Sequence, residues 1–261
     1  MTNPDPRLGR ILLLGKDHDT YGGVASTRVG SQSAAAITVG SDPDSPSGRW
    51  KYDDNVLNED SLCLIDAGSW IGMAVADAHY GPESSHMLIS RLHDIWVKVR
   101  PTDGQHLEQM IEFLRAGDPA KTESETTLLV TVFDRTEGRG FGVSFGDSTF
   151  TVLAPGRTPN ALNRHDHRFV TAAIPQSLRR GEVFNFVASP GDLLVTFTDG
   201  IDGCHYREPL TSVQPHHISA IGASVAFDPL EVVTDVISLA LRGVDGYPGG
   251  QDNIVMAAVT V

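Results

Sequence analysis

The chain has 261 residues, of which 40% are hydrophobic and 20% charged, a composition typical of a folded globular protein and not of a disordered one. Its formal net charge of −13 argues against nucleic acid or an anionic membrane surface as the main partner, because both attract an excess of Lys and Arg. Without a secretory signal, a bilayer-length apolar stretch or a disulfide-type spacing of Cys63 and Cys204, the sequence predicts a soluble, cytoplasmic protein with free buried thiols.

The first half of the chain predicts one turn-rich loop, one strand and two helices. Residues 41–48 are dense in Ser, Asp, Pro and Gly and predict a surface loop. The apolar run over 71–76 predicts a strand. Apolar residues recur at helical spacing over 84–99 and 105–116, with Ser84 or Ser85 as the expected N-cap of the first helix.

The second half predicts mainly strands. Residues 126–133 read as a strand, and the two short runs 141–145 and 150–153, joined by a Gly-Asp-Ser turn, predict a hairpin. Residues 155–190 contain four prolines and are predicted to be irregular. A strand at 193–198, a helix at 229–242 that opens on Asp228-Pro229, and a strand at 254–261 follow. Strands grouped apart from helices predict an α+β layered fold in one domain, residues 1–261.

Three aspartates lie at the edges of apolar runs. Asp77 follows residues 71–76, Asp199 follows residues 193–198, and Asp252 precedes residues 253–259. Any one of them alone could simply start a turn. Carboxylates on several strand ends that met at one place would repel each other unless a cation lay between them, and Mg2+ and Mn2+ favour such oxygen ligands. We therefore predict a metal site.

The histidines do not suggest a zinc site, because none has the accompanying Cys or His spacing that zinc requires. We expect surface or loop positions for these residues: His165, His167, His205, His216 and His217.

The order of the motifs resembles that of the metal-dependent protein serine/threonine phosphatases of the type-2C class, the PPM family, in a divergent bacterial-type form. The fragments that carry the resemblance are Asp77-Ala78-His79-Tyr80-Gly81, Gly146-Asp147-Ser148, Asp166-His167, Thr198-Asp199-Gly200 and Asp252-Asn253. The resemblance runs from about Arg28 to the C-terminus. It implies a four-layer α-β-β-α sandwich of two antiparallel sheets flanked by helices, with a flap-like insert at about 155–190. Arg179 and Arg180 in this insert either meet a phosphoprotein or are simply solvated.

The resemblance also implies two Mn2+ or Mg2+ ions at one edge of the sandwich. Asp77 would bridge both ions, Asp199 and Asp252 would hold one, and the carbonyl of Ala78 would hold the other. His79 would be the general acid that protonates the departing serine or threonine oxygen.

Upstream, the family pattern is an Arg followed, after three residues, by Glu-Asp. At that spacing Arg28 is followed by Gln32 and Ser33. Arg28 would clamp the phosphate, although a solvent-facing arginine explains it equally well. Gln32 and Ser33 can accept hydrogen bonds from metal-bound water but add no charge, so we expect weaker metal affinity.

Three further departures concern the other motifs. Ala78 replaces a Gly, and its carbonyl remains a ligand only if the backbone there does not need a positive φ. Tyr80 adds bulk that would narrow the entrance to the site. Gly203 stands where a further Asp is expected, with Asp202 one residue early. We therefore expect these residues only as additional metal ligands or neighbours of the ligands: Asp147, Asp202 and Asn253.

The function that follows is hydrolysis of phosphoserine and phosphothreonine in proteins by metal-activated water, opposing a cognate Ser/Thr kinase in signalling. Two alternatives stay open at this point. The substitutions at Gln32, Ser33 and Gly203 are also compatible with a catalytically impaired descendant that binds a phosphoprotein or partner. A metal-dependent enzyme that acts on small phosphate esters is the other alternative.

Overall fold

The computed structural model describes residues 8–45, 56–116, 124–166, 169–171, 180–206 and 208–261. The strands are β1 (Gly9–Leu14), β2 (Ala25–Val29), β3 (Ser33–Thr38), β4 (Ser61–Asp66), β5 (Trp70–Ala76), β6 (Ala78–His79), β7 (Glu125–Thr126), β8 (Leu128–Asp134), β9 (Arg139–Phe145), β10 (Thr149–Leu153), β11 (Val170–Thr171), β12 (Glu182–Val187), β13 (Leu193–Phe197) and β14 (Ile254–Thr260). The helices are α1 (Glu83–Trp96), α2 (Gly104–Ala116), α3 (Pro215–Ser224) and α4 (Pro229–Arg242).

The long strands form two antiparallel sheets. The first has six strands in the order β1-β4-β5-β8-β9-β12, and the second has five in the order β10-β13-β14-β3-β2. Strands in the middle of a sheet, such as β3, β5 and β13, are buried at every position because both of their faces are covered. The edge strand β12 instead alternates between buried and exposed residues. This difference explains why the runs of β5 and β13 were recognisable in the sequence and β12 was not. The buried strands β3 and β4 were not predicted either, because their runs contain small or polar residues such as Ser33 and Ser61.

Three apolar layers hold the fold together. Side chains from both sheets, including Ile37, Leu64 and Phe150, pack between the sheets. A second layer lies between the five-stranded sheet and helices α3 and α4, and a third between the six-stranded sheet and helices α1 and α2. The predicted α-β-β-α sandwich is therefore confirmed. Both cysteines are buried thiols, as expected. Within the described ranges, no helix has the length and apolarity needed to cross a membrane.

The predicted hairpin over residues 141–153 is wrong. Strand β9 pairs with β8 and β12 in the six-stranded sheet, whereas β10 pairs with β13 in the five-stranded sheet. The Gly146-Asp147-Ser148 turn thus carries the chain from one sheet to the other, with Gly146 at φ +93°. Two alternating runs joined by a tight turn fit a hairpin and a sheet crossing equally well, because the pattern does not specify the partner strand.

Residues 155–190 are also more regular than predicted. β12 pairs with β9 over its whole length, and the two-residue β11 pairs with β7. Residues 172–179, which include Arg179, lie outside the described residues, while Arg180 is exposed just before β12. Helix α3 was not predicted, because its apolar residues form only a weak stripe around Ile218.

The expected N-cap of the first helix is wrong as well. Helix α1 begins at Glu83 after Pro82 and ends at Trp96. Ser84 and Ser85 lie inside its first turn, where their buried hydroxyls donate to the carbonyl oxygens of Ser124 and Glu59. Helix α4 has the predicted bounds, and the Asp228 side chain accepts hydrogen bonds from two backbone N–H groups of its first turn.

Candidate active site

Strand ends from both sheets meet at one end of the sandwich, which we call the aspartate rim. In the six-stranded sheet β5 ends directly before Asp77. In the five-stranded sheet, β13 ends two residues before Asp199, and β14 begins two residues after Asp252. Since β13 and β14 are antiparallel with Phe197 opposite Met256, Asp199 and Asp252 emerge at the same end of neighbouring strands.

The electrostatics of Asp199 show that four other aspartates lie within range of its charge. Its side chain is partly buried, with Oδ1 shielded from solvent, and burial raises its pKa well above the usual value. The negative charges of four other aspartates raise the pKa further, in the order Asp77, Asp252, Asp147 and Asp202. In the described part of the chain, Asp199 Oδ1 has no hydrogen-bond partner. A buried carboxylate oxygen of this kind, facing like charges, is a site that a cation would stabilise.

The carboxylates are within electrostatic range of one another, but they are not gathered as ligands of one ion. Among the described residues, no three His, Cys, Asp or Glu side chains are close enough to hold a single metal ion. The donor set therefore fits a divalent cation in its chemistry, and binding would require the side chains to move inward.

Two further carboxylates at the rim, Glu59 and Asp60, were missed in the sequence. Ser61 is opposite Ala76 in the ladder, so Asp60 lies beside Asp77. Asp60 is completely buried, and its Oδ2 accepts a 2.7 Å hydrogen bond from the hydroxyl of Thr198, the residue before Asp199. This side chain thus connects the start of β4 in one sheet with the end of β13 in the other.

Glu59 connects the remaining segments of the rim. Its Oε1 accepts a 2.7 Å hydrogen bond from Gly81 N, and its own N–H donates to Asn253 Oδ1 at 2.8 Å. Asn253 Nδ2 donates to the carbonyl oxygens of Val39 and Leu57. Asn253 therefore holds the loop around Glu59 in place, and its position is that of a neighbour of the expected ligands.

A signal for Glu59 and Asp60 was present in the sequence. Asn58-Glu59-Asp60 precedes the apolar run over 62–65 with only Ser61 between them, a context similar to the one that identified Asp252. The family spacing of an Arg and a Glu-Asp pair points instead to Arg28 with Gln32 and Ser33. Four residues before Glu59 the chain has Asn55, not an arginine, and this residue lies outside the described ranges.

The structure places Arg28, Gln32 and Ser33 at the other end of the sandwich. The Arg28 guanidinium forms an ion pair with Asp228 at the start of α4. Ser33 is opposite Val259, and its hydroxyl donates to Asp66 Oδ2 at 2.7 Å. Gln32 is exposed, and its backbone oxygen accepts from Thr260 N. The prediction that these three residues form the phosphate clamp and the outer metal shell is therefore corrected.

Ala78 and His79 form the short strand β6, which pairs with β7. Ala78 does not adopt a positive φ; Tyr80 at +62° and Gly81 at +111° do. The condition under which the Ala78 carbonyl can act as a ligand is thus met. The half-buried His79 ring contacts Phe169 edge-on, with ring centroids 5.0 Å apart, and Tyr80 is largely exposed.

Asp147 and Asp202 lie beside Asp199 on two different turns. Burial, with a smaller contribution from the charge of Asp147, raises the pKa of Asp202 to about 7, although a hydrogen bond from Thr149 Oγ1 at 3.2 Å opposes the shift. Gly203 N donates to the carbonyl oxygen of Asp199, which makes the turn between them tight. Asp202 therefore approaches the rim even though it precedes by one residue the position, Gly203, at which the family pattern has an Asp.

Asp166 stabilises the turn that carries Asp147. Its backbone N–H donates to the carbonyl oxygen of Gly146, and Gly146 N donates to Asp166 Oδ1 at 3.3 Å. His167, the other half of the predicted Asp-His pair, lies outside the described residues.

No protein-family model matches the chain. Among curated proteins, it is similar to two from Arabidopsis thaliana. It is 27% identical to probable protein phosphatase 2C 80 over 199 residues, which cover 72% of this chain and 44% of that protein. It is 23% identical to probable protein phosphatase 2C 55 over 172 residues, which cover 62% and 34%. The chain thus spans less than half the length of these relatives.

Solved structures share the fold. The catalytic domain of the serine/threonine protein phosphatase PstP, in complex with two manganese ions, has a TM-score of 0.65 at 20% identity, covering 92% of this chain and 100% of that one. The Mycobacterium tuberculosis phosphatase PstP/Ppp has a TM-score of 0.64 at 20% identity, with 88% and 98% covered. RsbX in complex with magnesium has a TM-score of 0.58 at 12% identity, with 92% and 100% covered.

Proposed function

We propose that this chain is a member of the type-2C (PPM) protein phosphatases and hydrolyses phosphoserine and phosphothreonine in proteins in a metal-dependent reaction. Its similarity to two probable protein phosphatases 2C and its fold support this proposal. The observation that supports this most directly is the set of carboxylates around Asp199, whose charges act on a partly buried side chain with an unpaired, solvent-shielded Oδ1. A charged side chain that is shielded from solvent lowers folding stability, and such groups cluster at functional sites.

A divalent cation bound by these carboxylates would neutralise their mutual repulsion. We propose that Asp77, Asp199, Asp252 and the carbonyl of Ala78 hold two Mn2+ or Mg2+ ions. When bound, such a pair of ions supplies a hydroxide nucleophile at neutral pH and neutralises phosphoryl oxygens. The rim without cations would repel a phosphate dianion, which is a second reason to expect metal dependence. In support, the PstP structure contains two manganese ions and the RsbX structure contains magnesium.

The chain's own residues have separate roles in this proposal. A ring nitrogen of His79 donates a proton to the serine or threonine oxygen as the ester bond breaks. Phe169 packs against that ring and limits its rotation. Glu59 fixes the backbone at Gly81, close to His79, and Asp60 fixes Thr198. We place Asp147 and Asp202 as neighbours that tune the charge of Asp199.

The alternative of a catalytically impaired descendant loses part of its motivation, because Glu59 and Asp60 provide a Glu-Asp pair at the rim. We also propose that the substrate is a phosphorylated protein, which implies a Ser/Thr kinase and a signalling role. The cytoplasmic location expected from the sequence stays a prediction.

The test compares two substrates and two variants. p-Nitrophenyl phosphate and a phosphothreonine peptide are offered to the purified chain with millimolar Mn2+. We expect Asp199→Asn to lower kcat/KM by about 100-fold or more, the scale seen when one charge-stabilising group is removed. Asp235→Asn, a change at an exposed aspartate on α4, is the matched control and should retain activity.

Two results would count against the proposal. The first is absence of hydrolysis of either substrate at millimolar Mn2+. The second is equal activity of the Asp199 and Asp235 variants. Turnover of p-nitrophenyl phosphate but not of any phosphopeptide would favour the small-ester alternative.

A further inference from the structure

A cavity of about 200 Å³ adjoins the aspartate rim on the side of helix α3. Its walls are mainly apolar: Phe197 comes from the end of β13, Val213 and Ile218 come from the start of α3 and the residues before it, and Ala161 comes from the loop after β10. Thr149, His165 and Asp202 form its polar end. Neither the proposed reaction nor any motif in the sequence accounts for this cavity.

Asp202 connects the cavity with the proposed active site. Asp202 lines the cavity, and its charge also raises the pKa of Asp199, so it belongs to both. Gly203 N donates to the carbonyl oxygen of Asp199 at 2.6 Å, which keeps Asp202 within one tight turn of the rim. Thr149 lies two residues after Asp147, the other aspartate on this side. A polypeptide whose phosphorylated residue lay at the rim would therefore pass beside the cavity.

The polar groups at the cavity's end are largely engaged with one another. Thr149 Oγ1 donates to Asp202 Oδ2 at 3.2 Å and contacts His165 Nε2 at 2.8 Å. This leaves the apolar walls as the surface available to a ligand. A phosphate or carboxylate would be repelled by the neighbouring aspartates, and a cation would lose its hydration against Phe197, Val213 and Ile218. An apolar group of suitable size is neither repelled by the aspartates nor stripped of a hydration shell.

The volume sets the size of that group. A dry apolar cavity of about 150 Å³ is enough to hold benzene, so a cavity somewhat larger accepts the side chain of Phe or Leu. An extended peptide advances about 3.3 Å per residue, so a side chain within about three residues of the phosphorylated one can reach the cavity.

We propose that this cavity is a specificity pocket that binds an aromatic or large aliphatic side chain of the substrate, within about three residues of the phosphoserine or phosphothreonine. The proposal deepens the proposed function and rests on it. It predicts a sequence preference for the phosphatase, set by the shape of the pocket and independent of the metal site.

The test uses phosphothreonine peptides that differ only in having Phe, Ala or Lys at one position, moved through the three places on either side of the phosphorylated residue. Phosphate release gives kcat/KM for each peptide. For the parent protein we expect Phe to exceed Ala at one position by on the order of tenfold to a hundredfold, the effect of burying one large apolar side chain.

Two variants locate the preference. Ala161→Trp places a large ring at the pocket from an exposed loop residue whose backbone bridges Thr151, and it should bring the Phe-to-Ala ratio close to one. Ala220→Trp introduces the same ring at an exposed position of α3 that does not line the pocket, and it should keep the ratio of the parent protein.

A parent protein that treats the Phe and Ala peptides alike, or prefers Lys, would overturn the proposal. So would an Ala161→Trp variant that keeps the full ratio. If the parent protein fails to hydrolyse p-nitrophenyl phosphate with Mn2+, the proposed function itself fails. The pocket is then tested by fluorescence anisotropy, in which the Phe peptide must bind at least about tenfold more tightly than the Ala peptide.

Discussion

Replacement of Arg28 by Ala provides the sharpest test of the site assignment. The family spacing made Arg28 the candidate phosphate clamp, but the structure pairs it with Asp228 on the outside of the five-stranded sheet. Through the ladders, Arg28 is level with Ala34 and so with Ala258. Ala258 is six residues along the chain from Asp252. At about 3.3 Å per residue, these positions are about 20 Å apart along the strand, farther than an arginine side chain can reach.

This distance gives a numerical expectation for the kcat/KM of the Arg28→Ala variant. A hydrogen bond to a charged group contributes about 1.5–3 kcal/mol, so loss of a true phosphate clamp would lower kcat/KM by about 10- to 150-fold. For Arg28→Ala we instead expect kcat/KM to stay within about twofold of the parent protein. Loss of the half-exposed ion pair with Asp228 should lower the free energy of unfolding by about 0–1 kcal/mol.

The assay is the initial rate of p-nitrophenyl phosphate hydrolysis over a range of substrate concentrations at fixed Mn2+, with melting temperatures measured in parallel. Asp60→Asn is the positive comparison, because Asp60 lies at the aspartate rim and accepts the hydrogen bond from Thr198. We expect it to lower kcat/KM by about tenfold or more. A tenfold loss in Arg28→Ala with an unchanged melting temperature would refute the placement of the site.

Three further predictions concern stability. With metal removed by a chelator at pH 8, the Asp199→Asn variant should melt at a higher temperature than the parent protein, because the substitution removes a buried charge that faces other carboxylates. The variant should also lose the rise in Tm that Mn2+ induces in the parent protein. A lower Tm of the variant in chelator would contradict this prediction. Burial alone would raise the pKa of Asp66, but hydrogen bonds from Arg135 and Ser33 outweigh burial and lower the pKa. The stability that these bonds contribute is present above the unfolded pKa of about 3.9 and is lost as pH falls through the lower folded pKa. Asp66→Asn should therefore cost about 1.5–3 kcal/mol at pH 7 and progressively less below about pH 4 in urea titrations; a cost independent of pH would argue against the ion pair. Asp228→Ala removes the side-chain cap of α4 and should lower the free energy of unfolding by about 1 kcal/mol, or Tm by about 2–4 °C, in calorimetry; an unchanged Tm would contradict it.

Local patterns predicted much of the fold because burial on both faces leaves a continuous apolar run in the sequence. The runs that became β5, β13 and β14 were recognised, and so was helix α4 with its Asp228 cap. The edge strand β12 was missed, because only alternate residues of such a strand are buried. The sequence also indicated that Asp77, Asp199 and Asp252 lie at strand ends, since each lies at the edge of an apolar run.

The sequence by itself determined several of the strands, among them β5, β13 and β14, and the aspartates at their ends, because the period of the apolar pattern reflects local backbone geometry. Only the tertiary structure decided which strand ends share a rim. It brought Asp60 beside Asp77 and placed Ser33 on Asp66 at the opposite end. Pairing partner and direction depend on packing between residues far apart in the chain, and a period of two residues is the same whichever strand lies alongside.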